Sequence, residues 1–169
     1  MAEDIRREVI GAIPLFGGVL SATLLDGLAA KSNLMVFPAG TTLMSEGDFG
    51  VAMYAVAEGS VIVSLIDRHG HEQRVATLGS GDIVGEMSLM TGARRNATVV
   101  ATTGVTALEI TKVALEDILK QAPELIGRFG DVLSRRQAEL DRIAADADHD
   151  AHTIAHQIRR FFPSVFGDA

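Results

Sequence analysis

The 169-residue chain contains no cysteine. This absence excludes a disulfide framework, a thiolate metal site and a cysteine nucleophile, and it favours a reducing compartment such as the cytoplasm. No apolar run approaches the roughly 20 residues that a membrane-spanning helix requires. The first residues, MAEDIRREVIGAIPLF, also lack an apolar core of signal-peptide length. The sequence therefore predicts a soluble, cytoplasmic domain, which could still be one part of a membrane protein.

Positive charge is also scarce, with 15 Lys and Arg against 22 Asp and Glu and a formal net charge of −7. Because neutralisation of phosphates drives general binding to nucleic acids, we expect no nucleic-acid partner. Apolar residues, by contrast, make up 47% of the chain, which is typical of a folded globular protein. The length fits one domain with a substantial core and some additional helix.

The chain divides into four sections by the spacing of its apolar residues. Residues 1–33 have helical spacing, interrupted by IPLFGG, and residues 34–111 carry short apolar or alternating runs separated by turn residues. Helical spacing returns in residues 112–147, and residues 148–169 read as an amphipathic tail. Many short strands with regular turns predict an antiparallel sandwich or barrel, so the fold class is α+β.

The segment GEMSLM, inside the strand section, has little β-branching and predicts one short helix. If that helix begins after Gly85, its first N–H groups are free to bind an anion, and phosphate is the usual one. Gly85 also lets a ligand approach the backbone closely. Arg95 offers a planar, charged fork suited to phosphate, whereas Arg94 points the opposite way if the segment is extended.

Glu86 is an unexpected neighbour for a phosphate, unless its carboxylate accepts a hydrogen bond from a sugar hydroxyl. These residues together predict a small ligand that carries both a phosphate and a sugar hydroxyl. The alternative is that Glu86 and Arg95 form a surface ion pair worth at most about 1 kcal/mol. The chemistry of the residues leaves both interpretations open.

The stretch VGEMSLMTGARRNATV, residues 84–99, closely resembles the phosphate-binding cassette of cyclic-nucleotide-binding domains. The flanking segments PLF, FPAGTTLMSEGD and MYAVAEGSVIV are similar to that family too, so the resemblance covers roughly residues 12–140. Two positions depart from the family pattern, since Val84 replaces the usual Phe and Arg94 stands where Pro is common. The cassette positions that match are Gly85, Glu86, Met87, Ser88, Leu89, Arg95, Ala97 and Thr98.

The resemblance implies an antiparallel, jelly-roll-like β-roll with flanking helices that binds cAMP or cGMP, and we expect cAMP. Arg95 would pair with the cyclic phosphate and Glu86 would accept from the ribose 2′-hydroxyl. The backbone at Gly85 and Ser88 would help to hold the phosphate and sugar, with Thr98 near phosphate and purine. The final helix would close over the base. The expected ligand-binding residues are Val84, Gly85, Glu86, Met87, Ser88, Arg95, Asn96, Ala97, Thr98, Arg135 and Arg136.

The sequence indicates the attached effector less directly than it indicates the ligand. About 25 residues follow Ile143, too few for the winged helix-turn-helix of catabolite-activator-type factors, and there is no second cassette as in a kinase regulatory subunit. The ending IAHQIRRFFPSVFG is similar to the tail of bacterial cyclic-nucleotide-gated channels of the small-conductance mechanosensitive type. We therefore expect a regulatory domain fused to or cut from such a channel, which it gates by moving its C-terminal helix. A free-standing sensor is the alternative.

Three other features allow further interpretations. The heptad-like spacing of Phe129, Leu133, Arg136, Leu140, Ile143 and Ala147 predicts either a homo-oligomer contact or a face lying on the β-roll. HGHE at 69–72 could belong to a metal-dependent, cupin-type enzyme, but DRHGHE is better explained as a hairpin turn. His149, His152 and His156 have the spacing of a zinc site, although a solvated helix end is the simpler explanation. No nucleophile–base arrangement stands out, so we expect neither an enzyme nor a bound metal.

Overall fold

The computed structural model describes residues 2–144. The predicted tail at 148–169, with its three histidines, lies outside those residues, as does Ala147 of the heptad-like pattern. The described elements follow this order: α1 (Ala2–Gly11), α2 (Ala22–Ala30), β1 (Asn33–Phe37), β2 (Thr42–Met44), β3 (Ala52–Glu58), β4 (Val61–Ile66), β5 (Glu72–Leu78), β6 (Ile83–Val84), α3 (Glu86–Thr91), β7 (Thr98–Ala101), β8 (Val105–Thr111), α4 (Lys112–Gln121) and α5 (Leu125–Ala144).

The strands form two four-stranded antiparallel sheets. One sheet has the order β1-β8-β3-β6 and the other has the order β2-β7-β4-β5. The inner cluster of apolar side chains takes residues from both sheets, because alternate residues of a strand point to opposite faces. This arrangement is a β-roll, and the predicted fold class is confirmed. The buried members of the inner cluster are Leu43, Met44, Val56, Val61, Val84, Val99, Ala101, Val105 and Ala107.

The helices bury the outer face of the first sheet. Strand residues such as Met53 and Leu108 pack there against helical residues such as Leu115. The IPLFGG segment, which the sequence suggested only as a break between helices, adds Phe16 to this core. The Phe16 ring meets the Phe129 ring of α5 edge to face, with centroids 6.0 Å apart. These contacts join the N-terminal segment to the start of the C-terminal helix.

Two helices begin at side-chain caps. The Ser21 hydroxyl accepts a hydrogen bond from the backbone N–H of Leu24, and the Thr111 hydroxyl accepts one from Ala114. Helix α4 ends before Pro123 and α5 begins just after it. Within residues 2–144, no helix combines the length and apolar character needed to cross a bilayer.

The DRHGHE segment is the turn of the β4–β5 hairpin, as predicted. Gly70 has φ of 81°, a conformation that L side chains rarely adopt. One Asp67 oxygen accepts the backbone N–H groups of His69 and His71, and the other accepts the Gln73 amide. These bonds give Asp67 a role in the turn that needs no metal. In the described part of the chain, no group of three or more His, Asp or Glu side chains is placed to hold a metal ion.

Candidate ligand-binding site

A cleft opens between the cassette, residues 84–98, and strands β4 and β5. About 650 Å³ of space lies within it, a figure that includes the open solvent at its mouth. The two strands supply an apolar wall of Val63, Val75, Ala76 and Leu78, whereas the polar groups come from the cassette. The complete lining is Met44, Val63, Val75, Ala76, Leu78, Val84, Gly85, Glu86, Met87, Ser88, Asn96, Ala97 and Val99.

Gly85 shapes the polar part of the cleft. It precedes α3 with φ of 83°, so its backbone lies in the left-handed region. A Cβ atom at this position would lie only 2.7 Å from Nη1 of Arg95. Glycine is therefore required here both by the backbone angle and by the arginine packed against it. Its small size leaves the backbone at the start of α3 accessible from the cleft.

Glu86 and Ser88 are polar residues buried on the cleft lining, each with 2% of its surface exposed. Among the described residues, no group is within hydrogen-bond reach of the Ser88 hydroxyl oxygen. A buried hydroxyl without a partner costs free energy, so a polar ligand atom in the cleft could compensate it. Arg95 is only 6% exposed. Because Glu86 and Arg95 are both buried, the alternative of a surface ion pair between them is wrong.

The Arg95 guanidinium is held by two backbone carbonyl groups. Nη1 donates to the Gly85 oxygen at 2.8 Å, and Nη2 donates to the Ala52 oxygen at 2.7 Å. Burial lowers the pKa of Arg95, while interactions with Tyr54 and Glu86 oppose this shift. An arginine remains charged at neutral pH even so. The cassette thus contains a buried, fixed cation directly behind Gly85.

Arg95 itself does not line the cleft. It lines a neighbouring cavity, together with Asp48, Tyr54 and Glu109, and Met44 borders both spaces. Its link to the cleft is the bond from Nη1 to the Gly85 oxygen. Arg95 can therefore contact a ligand phosphate directly only if the ligand enters at Gly85 or if the guanidinium moves toward the ligand.

The remaining cassette residues divide into two groups. Val84, Met87, Asn96 and Ala97, which are among the expected ligand-binding residues, line the cleft. Thr98 is not among the lining residues, and its hydroxyl accepts the backbone N–H of Glu46 at 3.0 Å.

The structure does not bring Arg135, one of the two predicted lid arginines, to the cleft. Arg135 is exposed on α5, and its Nε donates to the Asp131 carbonyl oxygen of the same helix at 3.4 Å. The side chain of Arg136 lies outside the described part of the structure. Helix α5 does contact β5, whose residues form part of the cleft wall.

The apolar wall of β4 and β5 was missed as part of the site. The sequence predicts both strands, but not which side chains face the ligand. Their pairing is irregular between Val63 and Ser64, where a bulge changes the register against β5. A bulge inserts an extra residue and breaks simple alternation, which allows both Val75 and Ala76 to border the cleft.

Comparisons with known proteins identify the family of the chain. The family model for the cyclic nucleotide-binding domain matches residues 34–122. The chain belongs to the cyclic nucleotide-binding domain family. Relatives of this family that match the chain include regulatory proteins such as a channel and transcriptional regulators.

Two relatives are similar in sequence to this cyclic nucleotide-binding domain. A cyclic nucleotide-gated potassium channel of Rhizobium etli is 34% identical over 73% of this chain and 35% of its own length. The cyclic AMP receptor protein of Thermus thermophilus is 30% identical over 76% of this chain and 59% of its own length. The chain thus spans about a third and about three fifths, respectively, of these relatives.

A solved structure extends the similarity to the fold. It is a mutant regulatory subunit of a cAMP-independent protein kinase A from Trypanosoma brucei, with cAMP bound in the A site. The two chains share 28% identity with a TM-score of 0.66, over 75% of this chain and 47% of the other.

Proposed function

We propose that the domain binds cAMP in the cleft and signals its presence through helix α5. Arg95 neutralises the cyclic phosphate, Glu86 accepts from the ribose 2′-hydroxyl, and the backbone at Gly85 and Ser88 completes the polar contacts. The observation that carries this proposal is the cleft itself. It is lined both by the buried Glu86 and Ser88 and by the apolar wall of strands β4 and β5.

The apolar wall supports cAMP over cGMP. Guanine carries an N1–H and an exocyclic amine on one edge, and each buried donor without an acceptor costs about 1–3 kcal/mol. The wall residues Val63, Val75, Ala76 and Leu78 offer no side-chain acceptor for those donors. Thr98, another candidate partner, is not among the residues that line the cleft. Adenine presents fewer donors to the same surface.

Helix α5 is the proposed output because it contacts β5, a strand of the cleft wall. A ligand shifts a conformational equilibrium only through different affinity for the two states. Arg135 or Arg136 supplies that difference if α5 moves to cover the base.

The similarity to the Rhizobium etli channel supports a cytoplasmic domain that gates an attached channel, with a free-standing sensor as the alternative. Oligomerisation through the C-terminal helices and the absence of a nucleic-acid partner are part of the same proposal.

Calorimetry of the full chain with cAMP and with cGMP tests the proposed ligand. We expect cAMP to bind more tightly, and we expect Arg95→Ala to cost about 2–5 kcal/mol of binding because the phosphate charge is left poorly compensated. Arg7→Ala is the matched control, since Arg7 pairs with Asp26 on the N-terminal helices. It should bind like the wild type. Absence of binding heat with both nucleotides would refute the proposal.

Arg95→Ala also leaves two buried carbonyl groups without their donors, so its fold must be checked by thermal melting. Arg95→Lys keeps the charge but cannot present a planar fork. We expect it to bind cAMP with intermediate affinity. A well-folded Arg95→Ala variant with wild-type affinity would exclude Arg95 from the phosphate contact.

A further inference from the structure

The loop of residues 45–51, between β2 and β3, is bonded to the cassette by its backbone. The Gly47 N–H donates to the Arg95 carbonyl oxygen at 2.8 Å, and the Arg95 N–H donates to the Asp48 carbonyl oxygen at 2.6 Å. The same loop leads directly into Ala52, whose carbonyl oxygen accepts from the Arg95 guanidinium. The position of this loop therefore sets part of the surroundings of Arg95.

Arg94 adds a side-chain contact to this attachment. Its guanidinium carbon lies 4.2 Å from the centre of the Phe49 ring, and its Nη1 donates to the Gly47 carbonyl oxygen at 3.0 Å. Arg94 does not line the cleft. Phe49 is 72% exposed and also borders the neighbouring cavity that Arg95 lines. A guanidinium over an aromatic face is attracted by the electrons of the ring.

Gly50, the residue after Phe49, touches the Arg95 guanidinium. A Cβ atom on Gly50 would lie 2.3 Å from Cζ of Arg95. A small displacement of the loop at Phe49 would therefore reach the guanidinium through its next residue. This connects Arg94 on the surface to Arg95 in the interior without any direct contact between their charged groups.

We propose that Arg94 is a positioning residue. Through Phe49 it holds loop 45–51 against the cassette and so fixes the Arg95 guanidinium behind Gly85. Its role in ligand binding rests on the proposed function, but its effect on the loop and on Arg95 does not. The competing role for Arg94 is a second positive charge that attracts the phosphate directly.

The first experiment uses the ligand-free protein and the variants Arg94→Ala, Phe49→Leu and the double variant. Phe49→Leu keeps an apolar side chain but removes the aromatic face. We expect the amides of Gly47 and Asp48 to exchange with solvent about two- to fivefold faster in each single variant, as for an exposed cation–π contact. In the double variant, these amides should exchange no faster than in the faster of the two single variants. The amides of His69 and His71, held by Asp67, serve as the internal control.

The second experiment follows the Arg95 guanidinium protons by NMR in the same variants, still without ligand. Two carbonyl groups protect them in the wild type, and loosening of the loop should speed their exchange by a similar factor. Phe49→Trp keeps the aromatic face and should preserve wild-type exchange at both sites. Unchanged exchange at the loop or at Arg95 in Arg94→Ala would overturn the proposal.

The third experiment measures cAMP affinity by calorimetry. We expect Arg94→Ala and Phe49→Leu to weaken binding by about two- to fivefold, with no further loss in the double variant. If Arg94→Ala weakens binding while Phe49→Leu does not, Arg94 acts as a direct charge and the positioning role is wrong. If the wild type itself does not bind, the proposed function fails, and the two ligand-free measurements still decide whether Arg94 positions Arg95.

Discussion

The guanidinium of Arg95 occupies the space that a side chain on Gly50 would need. An ideal Cβ on Gly50 would lie 2.3 Å from Cζ and 2.5 Å from Nε of Arg95, well inside contact distance. Gly85 also approaches this guanidinium closely, since a Cβ there would lie 2.7 Å from Nη1. The buried cation of the cassette is thus in close contact with two glycines that are 35 positions apart in the sequence.

We expect Gly50→Ala to impair cAMP binding. The methyl group would push the end of the Arg95 side chain away from the Gly85 and Ala52 carbonyl groups. Hydrogen bonds of a charged group are worth about 1.5–3 kcal/mol, so affinity should fall roughly ten- to a hundredfold by calorimetry. Gly104→Ala is the matched control, because a Cβ there meets nothing within 4 Å. Wild-type affinity in Gly50→Ala would show that Arg95 tolerates the displacement.

The role of Glu86 can be tested with a ligand that lacks its partner. Glu86→Gln keeps the shape of this buried side chain but removes its charge. We expect cAMP affinity to fall by about 1.5–3 kcal/mol, because a hydrogen bond to a charged acceptor is weakened. With 2′-deoxy-cAMP, the same substitution should have little effect, since the hydroxyl is absent. Equal losses with both ligands would mean that Glu86 acts on another part of the site.

The cassette could be predicted because its chemistry is local in sequence. The glycine, the short helix and the arginine beyond it lie within residues 84–98, so their grouping is visible without knowledge of any tertiary contact. The directions of Arg94 and Arg95 were also predictable, since neighbouring residues of extended backbone point to opposite sides. Arg95 is buried and Arg94 is exposed, as that alternation requires.

The partners of Arg95 could not be predicted, because they come from distant parts of the chain. Ala52 and Gly50 belong to another loop and strand, and their contribution is a carbonyl oxygen and an empty space, neither of which has a sequence signature. Strand β6 was also missed, since two residues are too few to show alternation. The burial of Phe16 depends on its packing against Phe129, a tertiary contact that a break between helices does not reveal.

Stability can be raised at a site remote from the cleft. Gly27 lies inside α2, is exposed, and a Cβ there meets no atom within 4 Å. Replacing a glycine in a helix interior with alanine stabilises the helix by up to about 1 kcal/mol. We expect Gly27→Ala to raise the melting temperature by about 2–4 °C and to leave cAMP affinity unchanged. A lower melting temperature would mean that this helix needs the flexibility of glycine.

The hairpin acid Asp67 should make stability depend on pH. The backbone N–H of His71, followed by the Gln73 amide, holds the pKa of Asp67 below its ordinary value of 3.8. The charged carboxylate therefore stabilises the fold fully above the unfolded-state pKa, and this contribution is lost as the pH falls through the lower native value. Asp67→Asn removes the charge but keeps an oxygen acceptor for the turn. We expect its urea midpoint to lie below that of the wild type at pH 7, and the difference to shrink as the pH falls below 3.8. If the urea midpoints of the wild type and Asp67→Asn differ by the same amount from pH 7 to pH 2.5, then the turn geometry, rather than the charge of Asp67, accounts for the lower stability of the variant.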